Sequence, residues 1–330
     1  MPRLPRVHVQ QRPLMELGNR VVQGFSLLSP DDGLNRLVIG VLAKAQARYP
    51  MPIHAGAILS NHWHLLASPV DVKQQADFLG FFTRCLSRIV GRRHGWQGPM
   101  FAERYRSTEI SAEAPAQEAR LKYVLANGCK EGLVASPLDW PGVNFAAALA
   151  NGSTLKGIWI DRDAYRAAQA RGESVSESDF AEPVELKLSP LPCWAHLSSR
   201  RYRAAVTDVI REIEQETAAM HRRRGTLPLG PEQVRQQDPW RPRQLERRPC
   251  LWVYGRSLEA VKTLLQGLKT VVVAYRAAAD LLRTGSRNVR FPQNCFPPAL
   301  PFVPYGSAFS GVPGKRVGIP PDAHGSPPGG

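Results

Sequence analysis

Two histidines one residue apart, His62 and His64, and a later tyrosine, Tyr123, are the side chains of this 330-residue sequence whose types and spacing point to chemistry. The histidines stand in the run Ser60-Asn61-His62-Trp63-His64-Leu65-Leu66. Side chains alternate along a strand, so both imidazoles share one face about 7 Å apart, and Trp63 takes the other face. Two imidazoles on one face can hold one divalent ion, and imidazole suits many such ions. The same pair would also serve as plain polar residues on a wetted sheet face. Tyr123 and Asn127 stand i and i+4 in a helical pattern, hence on one helical face. The phenol offers a nucleophilic oxygen, and the carboxamide offers a neutral oxygen that can complete a metal shell. A half-buried tyrosine with a wet hydroxyl is the plain alternative.

The surrounding pattern says what must position these groups. Residues 21–28 are strand-like, and residues 34–49 carry apolar side chains at helical spacing. Residues 54–59 and 62–68 are two strand-like runs around a turn at Ser60-Asn61. Residues 72–94 form a long helix pattern with an apolar stripe of Phe78, Leu79, Phe82, Leu86, Ile89 and Val90. Residues 101–110 read as a strand and 115–132 as a helix. The order β-α-β-β-α-β-α fits an α+β fold, a ferredoxin-like antiparallel sheet with helices on one face. A mainly helical, basic C-terminal extension follows, with helical patterns at 163–171, 198–224 and 257–283. The expected organisation is a first domain over 1–150, an accessory region over 151–310 that turns basic after 240, and a disordered Pro/Gly-rich tail over 311–330.

Taken together, these motifs resemble a known family. His62-Trp63-His64 looks like the HUH motif, two histidines flanking a hydrophobic residue. About 60 residues on comes a helix of the form Tyr-x-x-x-Asn, here Tyr123 and Asn127, followed by Gly132-Leu133-Val134, Pro137 and Trp140-Pro141-Gly142. The combination is similar to the single-tyrosine HUH transposases, above all the REP-associated tyrosine transposases, over roughly residues 20–150. The resemblance implies cutting and rejoining of single-stranded or hairpin DNA through a 5′-phosphotyrosine. It implies Tyr123 as nucleophile, His62 and His64 as metal ligands with Asn127 third by position, and Mg²⁺ or Mn²⁺ as the ion. The histidines alone would equally suit zinc. Insertion-sequence relatives typically carry glutamine at the third position. Members often have Asn-Pro after the tyrosine where this chain has Asn127-Gly128, a departure that bears on the helix end. The family assembles its site within one subunit or between two, so monomer and homodimer both stand.

Charge points the same way. Lys and Arg number 43 against 28 Asp and Glu, a formal charge of +15 with pI ≈ 10.1. A folded protein this basic meets a polyanion, nucleic acid or an anionic membrane. Residues 151–240 are neutral, and the excess lies on either side. Arg84, Arg88, Arg92 and Arg93 on the long helix, with Arg104 and Arg106 around Tyr105, are the expected DNA contacts. Trp96, Phe101 and Tyr105 are candidates for stacking unpaired bases, or core. Arg222-Arg223-Arg224 and the cluster at 241–248 with Trp240 are a second basic candidate. His54 reads as a core histidine near the motif, and His94 and His196 have no partner by spacing. No stretch of eighteen apolar residues suggests a membrane span. The first residues lack the apolar core of a secretory signal. Five scattered cysteines suggest neither zinc ribbon nor disulfide framework. A cytoplasmic location follows from the cysteines, and a bacterial, nucleoid-associated one from the resemblance. The rival classes are a DNA- or RNA-binding regulator of the same fold without strand transfer, and a metal-dependent hydrolase that has no need of Tyr123.

Overall fold

The structure, a computed structural model, describes residues 5–101, 103–242, 251–286 and 288–296. The expected tail over 311–330 and most of the 241–248 cluster lie outside these residues. The first part of the chain runs β1 (Leu14–Arg20), α1 (Asp32–Arg48), β2 (Ile53–Leu59), β3 (His62–Ala67), α2 (Val72–His94), β4 (Arg106–Ile110), α3 (Ala114–Leu125) and α4 (Asn127–Lys130). There follow α5 (Ala146–Asn151), β5 (Leu155–Ile160), α6 (Arg162–Ala170), β6 (Ala181–Leu186), α7 (Ser199–Arg224), α8 (Pro231–Arg235), β7 (Val253–Tyr254) and α9 (Leu258–Arg283). The α+β class and the helical C-terminal region are as the sequence predicts.

The main sheet has the order β2-β3-β1-β4-β7, antiparallel except for the β4–β7 pair. The first strand is not the predicted one. Residues 21–28 do not form it, because Gln23 and Gly24 both take positive φ (54° and 70°) and turn the chain. Leu14–Arg20 takes the central place instead, between β3 and β4. The strand predicted over 101–110 shortens to β4, and Phe101 keeps only a single bridge to Val21. The helix predicted over 115–132 divides at Ala126 into α3 and α4.

The two long helices start and stop for local reasons. Asp31 accepts from the Leu34 amide and starts α1, and Asp71 accepts from the Gln74 amide and starts α2. Gly95, at φ 62°, ends α2 in the left-handed conformation that glycine adopts without strain. Between these helices, β3 is anchored by its middle residue. Trp63 is fully buried and meets Phe82 of α2 edge-on, ring centroids 5.3 Å apart. Cutting so large a buried side chain to alanine costs about 3–5 kcal/mol, and that anchorage turns both neighbouring histidines to the opposite face. Core residues from the later part of the chain, among them Leu186, Val206, Ile210 and Val234, belong to the same apolar cluster as the main sheet.

The two-stranded sheet β5–β6 had no predicted counterpart. It lies directly on α1, and two glycines permit the approach. A Cβ at Gly40 would stand 1.9 Å from the Ile158 carbonyl oxygen, and one at Gly157 would stand 2.4 Å from the Gly40 nitrogen. Neither position has a movable side chain to give way. Gly40→Ala should therefore destabilise the protein by about 1–3 kcal/mol through overpacking, read as an earlier denaturant midpoint. An unchanged midpoint would mean that α1 and β5 do not touch there.

Candidate functional site

Direct cross-strand partners share a sheet face, and this fixes the surroundings of the two histidines. His64 pairs with Gly18 of β1 and Ala57 of β2, and Gly18 pairs in turn with Arg106 of β4. Glu16, Gly18, His62, His64 and Arg106 therefore share one face. Gly18 is required by space. A Cβ there would fall 2.9 Å from the Trp63 carbonyl oxygen and 3.3 Å from His64 Nδ1.

Both imidazoles are held through Nδ1. His62 Nδ1 lies 2.6 Å from the Asn61 Oδ1, and His64 Nδ1 lies 3.1 Å from Glu16 Oε1. An amide oxygen and a carboxylate only accept, so each Nδ1 carries a proton, and in the neutral form of either ring the lone pair lies on Nε2. The Asn61 amide is itself oriented, its Nδ2 donating to the Gly24 carbonyl at 3.4 Å. This is the tautomer in which histidine ligates a metal through Nε2, with the other nitrogen steered by a carboxylate or carbonyl. The ring centroids lie 5.3 Å apart, nearly perpendicular.

Helix α3 crosses this face. Its Leu121, Val124 and Leu125 are buried. The helix is tied down further by Gln117, whose Oε1 accepts from the Cys193 amide, and by Glu118, which accepts from the Trp194 indole. Lys122 reaches Glu212 and Glu216 of α7. At the start of the helix Glu113 accepts from the Ser111 hydroxyl and from the backbone of Ser257 and Arg256, which draws its carboxyl down to about 2. These ties set the rotation of α3 so that Arg120 and Tyr123 face the sheet. The Tyr123 ring meets the His64 ring edge-on at 5.7 Å between centroids. One chain thus supplies both groups.

Tyr123 is flanked by charge. The Arg120 guanidinium stands 3.9 Å from its ring centroid and the Lys130 ammonium 3.6 Å. Arg120 also stands 4.8 Å from the Tyr254 ring and forms an ion pair with Glu16. Glu16 thereby joins the tyrosine helix to His64. Burial alone would raise its carboxyl, but the hydrogen bond from His64 and the charge of Arg120 outweigh that and hold it below the usual carboxylate range. On its outer side Tyr123 borders a cleft of about 990 Å³, rimmed by Lys122, Lys130 and Arg256.

The remaining predicted site residues are distributed more widely. Asn127 is buried, and its Nδ2 donates to the Tyr123 and Val124 carbonyls at 3.0 and 3.1 Å. That leaves its oxygen as the only atom with which it could ligate an ion. Gly128 lies under Trp140, where a Cβ would approach the indole to 2.8 Å, which accounts for the glycine after Asn127. Among the described residues no group of three His, Cys, Asp or Glu side chains gathers as a metal site. The donors that the strand itself brings together at this face are the two imidazoles of His62 and His64. Arg106 reaches the histidine face, and Arg104 precedes it on the exposed approach to β4. Arg84, Arg88 and Arg92 lie on α2, beyond the opposite face, and Arg93 pairs with Asp31 at 2.6 Å.

The aromatic candidates are packed rather than displayed. Trp96 lies against Phe25 and Trp240, Phe101 packs on the core, and Tyr105 lies under Arg6. His54 is buried between the Ser68 hydroxyl and the Ser189 carbonyl, and His94 bonds to the Leu27 carbonyl. Glu16, Arg120 and Lys130 were not singled out from sequence. Only Lys130 carried a usable signal, seven residues after Tyr123 along the same run.

The Glu16 bridge can be tested through stability. Glu16→Gln removes one partner of a largely buried ion pair and should cost about 3 kcal/mol at neutral pH. The folded-state carboxyl is depressed, so its contribution is complete above the ordinary carboxylate range and is lost as pH falls through the depressed value. The stability gap between wild type and variant, from denaturant melts, should narrow in acid. A gap absent at neutral pH, or constant into strong acid, contradicts the bridge.

No family model matches the chain. No curated protein matches it either. Among solved structures, a REP-associated tyrosine transposase bound to a REP hairpin aligns with 46% of this chain and 86% of its own, at 15% sequence identity and a TM-score of 0.37.

Proposed function

We propose that this protein is a metal-dependent DNA endonuclease and strand transferase that uses Tyr123 as its nucleophile on single-stranded or hairpin DNA. The observation that carries this reading is the meeting of Tyr123 with His64, whose Nδ1 is tied to a carboxylate so that Nε2 carries the lone pair. The motif resemblance implies the same roles.

The chain's own residues divide the work as follows. His62, His64 and the Asn127 oxygen would hold the divalent ion, Mg²⁺ or Mn²⁺, which when bound polarises the scissile phosphate as a Lewis acid. Arg120 and Lys130 place positive charge against the Tyr123 ring, 3.9 and 3.6 Å from its centroid, close to where the phosphate's negative charge would be carried. Arg106, on the histidine face, extends that charge along the strand. The Tyr123 oxygen attacks phosphorus and loses its proton. The bond from phosphorus to the 3′ oxygen breaks, and that oxygen leaves as a hydroxyl. The 5′ phosphate remains on the tyrosine. The phosphotyrosine retains the energy of the broken link, so a second 3′ hydroxyl can reverse the step without ATP. Among the described residues no helix is long and apolar enough to cross a membrane. The polyanion that the excess of basic residues calls for is taken as DNA because the motif resemblance implies it.

The test is incubation of the full chain with end-labelled single strands and Mn²⁺, followed by denaturing electrophoresis. Wild type should give a protein-linked fragment. Tyr123→Phe should give none while still shifting the strand in a native gel, and His64→Ala should lower the yield by about 100-fold or more, in line with the loss of a metal ligand. Cleavage that persists in Tyr123→Phe would favour hydrolysis by the histidines alone. Strand binding with no cleavage by wild type would favour the regulator reading.

A further inference from the structure

On the far side of the sheet from the histidines, α2 and the β5–α6 segment border an open groove of about 630 Å³. Arg84, Arg88 and Arg92 follow one another at intervals of four residues along its α2 wall, and Arg162 and Arg166 do the same along α6. At a 1.5 Å rise per residue each step is about 6 Å, comparable with the spacing of successive phosphates along a nucleic-acid strand. At its apolar side Phe81 and Trp159 stack, centroids 5.9 Å apart with planes 29° apart. Lys44 lies 5.5 Å from the Trp159 ring centroid and Arg48 5.6 Å from that of Phe81.

Carboxylates answer part of this charge. Glu177 pairs with Arg92 and Arg162, Asp163 with Arg166, and Glu182 with Lys44, while Asp161 caps α6. Among the described residues no carboxylate pairs with Arg84 or Arg88. Burial, and then the nearby charges of Arg162 and Arg166, hold the Arg92 guanidinium below its ordinary range. Cations gathered this closely repel one another, and an anion lying among them relieves the repulsion.

We propose that this groove is a second nucleic-acid track, which takes the backbone of an unpaired strand along its two arginine rows and a base against Trp159. An unpaired strand is favoured over a duplex because its bases are open to stacking on an aromatic ring. The buried Trp63 and the sheet itself separate this groove from Tyr123 and the histidines. The track requires no strand cleavage and stands independently of the tyrosine mechanism.

The test uses the full chain and a fluorescent oligothymidylate, with anisotropy titrations over a range of salt. Arg84→Gln with Arg88→Gln should weaken binding at least tenfold. It should also flatten the plot of log affinity against log salt by about 1.4, as expected for two lost phosphate contacts on a single strand. In wild type, a strand carrying 5-iodouracil should photocrosslink to the peptide that contains Trp159, a readout that survives even if the double variant folds poorly. Unchanged affinity and slope, or crosslinks confined to peptides outside the groove, overturn the proposal. So does an equal loss of binding to a duplex of the same length. A double variant that loses binding to anionic vesicles while keeping the strand assigns the groove to lipid and overturns it as well. No arm depends on adduct formation, so failure of the tyrosine mechanism and failure of this track read out separately.

Discussion

The carboxylate of Glu16 is the point on which the site depends. It accepts from His64 on one side and pairs with Arg120 on the other, so one buried side chain of β1 ties a histidine of β3 to the helix that carries Tyr123. A buried carboxylate with neither partner would be protonated or would force local opening, because desolvation disfavours its charge. With both partners it stays ionised, and its negative charge keeps the Nδ1 proton on His64. The tautomer of the histidine and the seat of the tyrosine helix thus come from the same interaction. Gly18, two residues along, leaves the space that the His64 ring occupies.

What the sequence disclosed was local. The turn at Ser60-Asn61 and the alternation that sends Trp63 inward and the histidines outward lie within a few residues of what they determine. Both are readable from spacing. The central strand was not readable, because its site face carries Glu16, Gly18 and Arg20, which resemble a loop until β3 and β4 stand on either side. The Val21-Val22 run looked more strand-like, but the backbone turns at Gln23 and Gly24. Glu16 and Arg120 are 104 positions apart, and no periodicity links residues so distant. The Gly40–Gly157 contact was hidden for the same reason.

Charge was legible in amount and not in placement. One reading of the arginines as a single DNA surface becomes three situations in the folded chain. Arg106 joins the histidine face, Arg93 is tied to Asp31 at the start of α1, and Arg84, Arg88 and Arg92 line a groove behind the sheet. A helix that packs one flank on a sheet must present its opposite flank elsewhere, so basic residues on α2 could not reach the same ligand atoms as the histidines. The geometry sets the histidines and Tyr123 on one face of the sheet and the α2 arginine row beyond the other.

Tyr123 has a rival within the same site. Arg120 lies between the Tyr123 and Tyr254 rings, and both phenols border the same cleft. The decisive measurement is mass spectrometry of a proteolytic digest after the chain has been trapped on a single strand with Mn²⁺. The account predicts a nucleotide phosphate attached to the peptide containing Tyr123 and to no other. A modified Tyr254 peptide, or a trapped sample in which every tyrosine peptide keeps its unmodified mass, would contradict it.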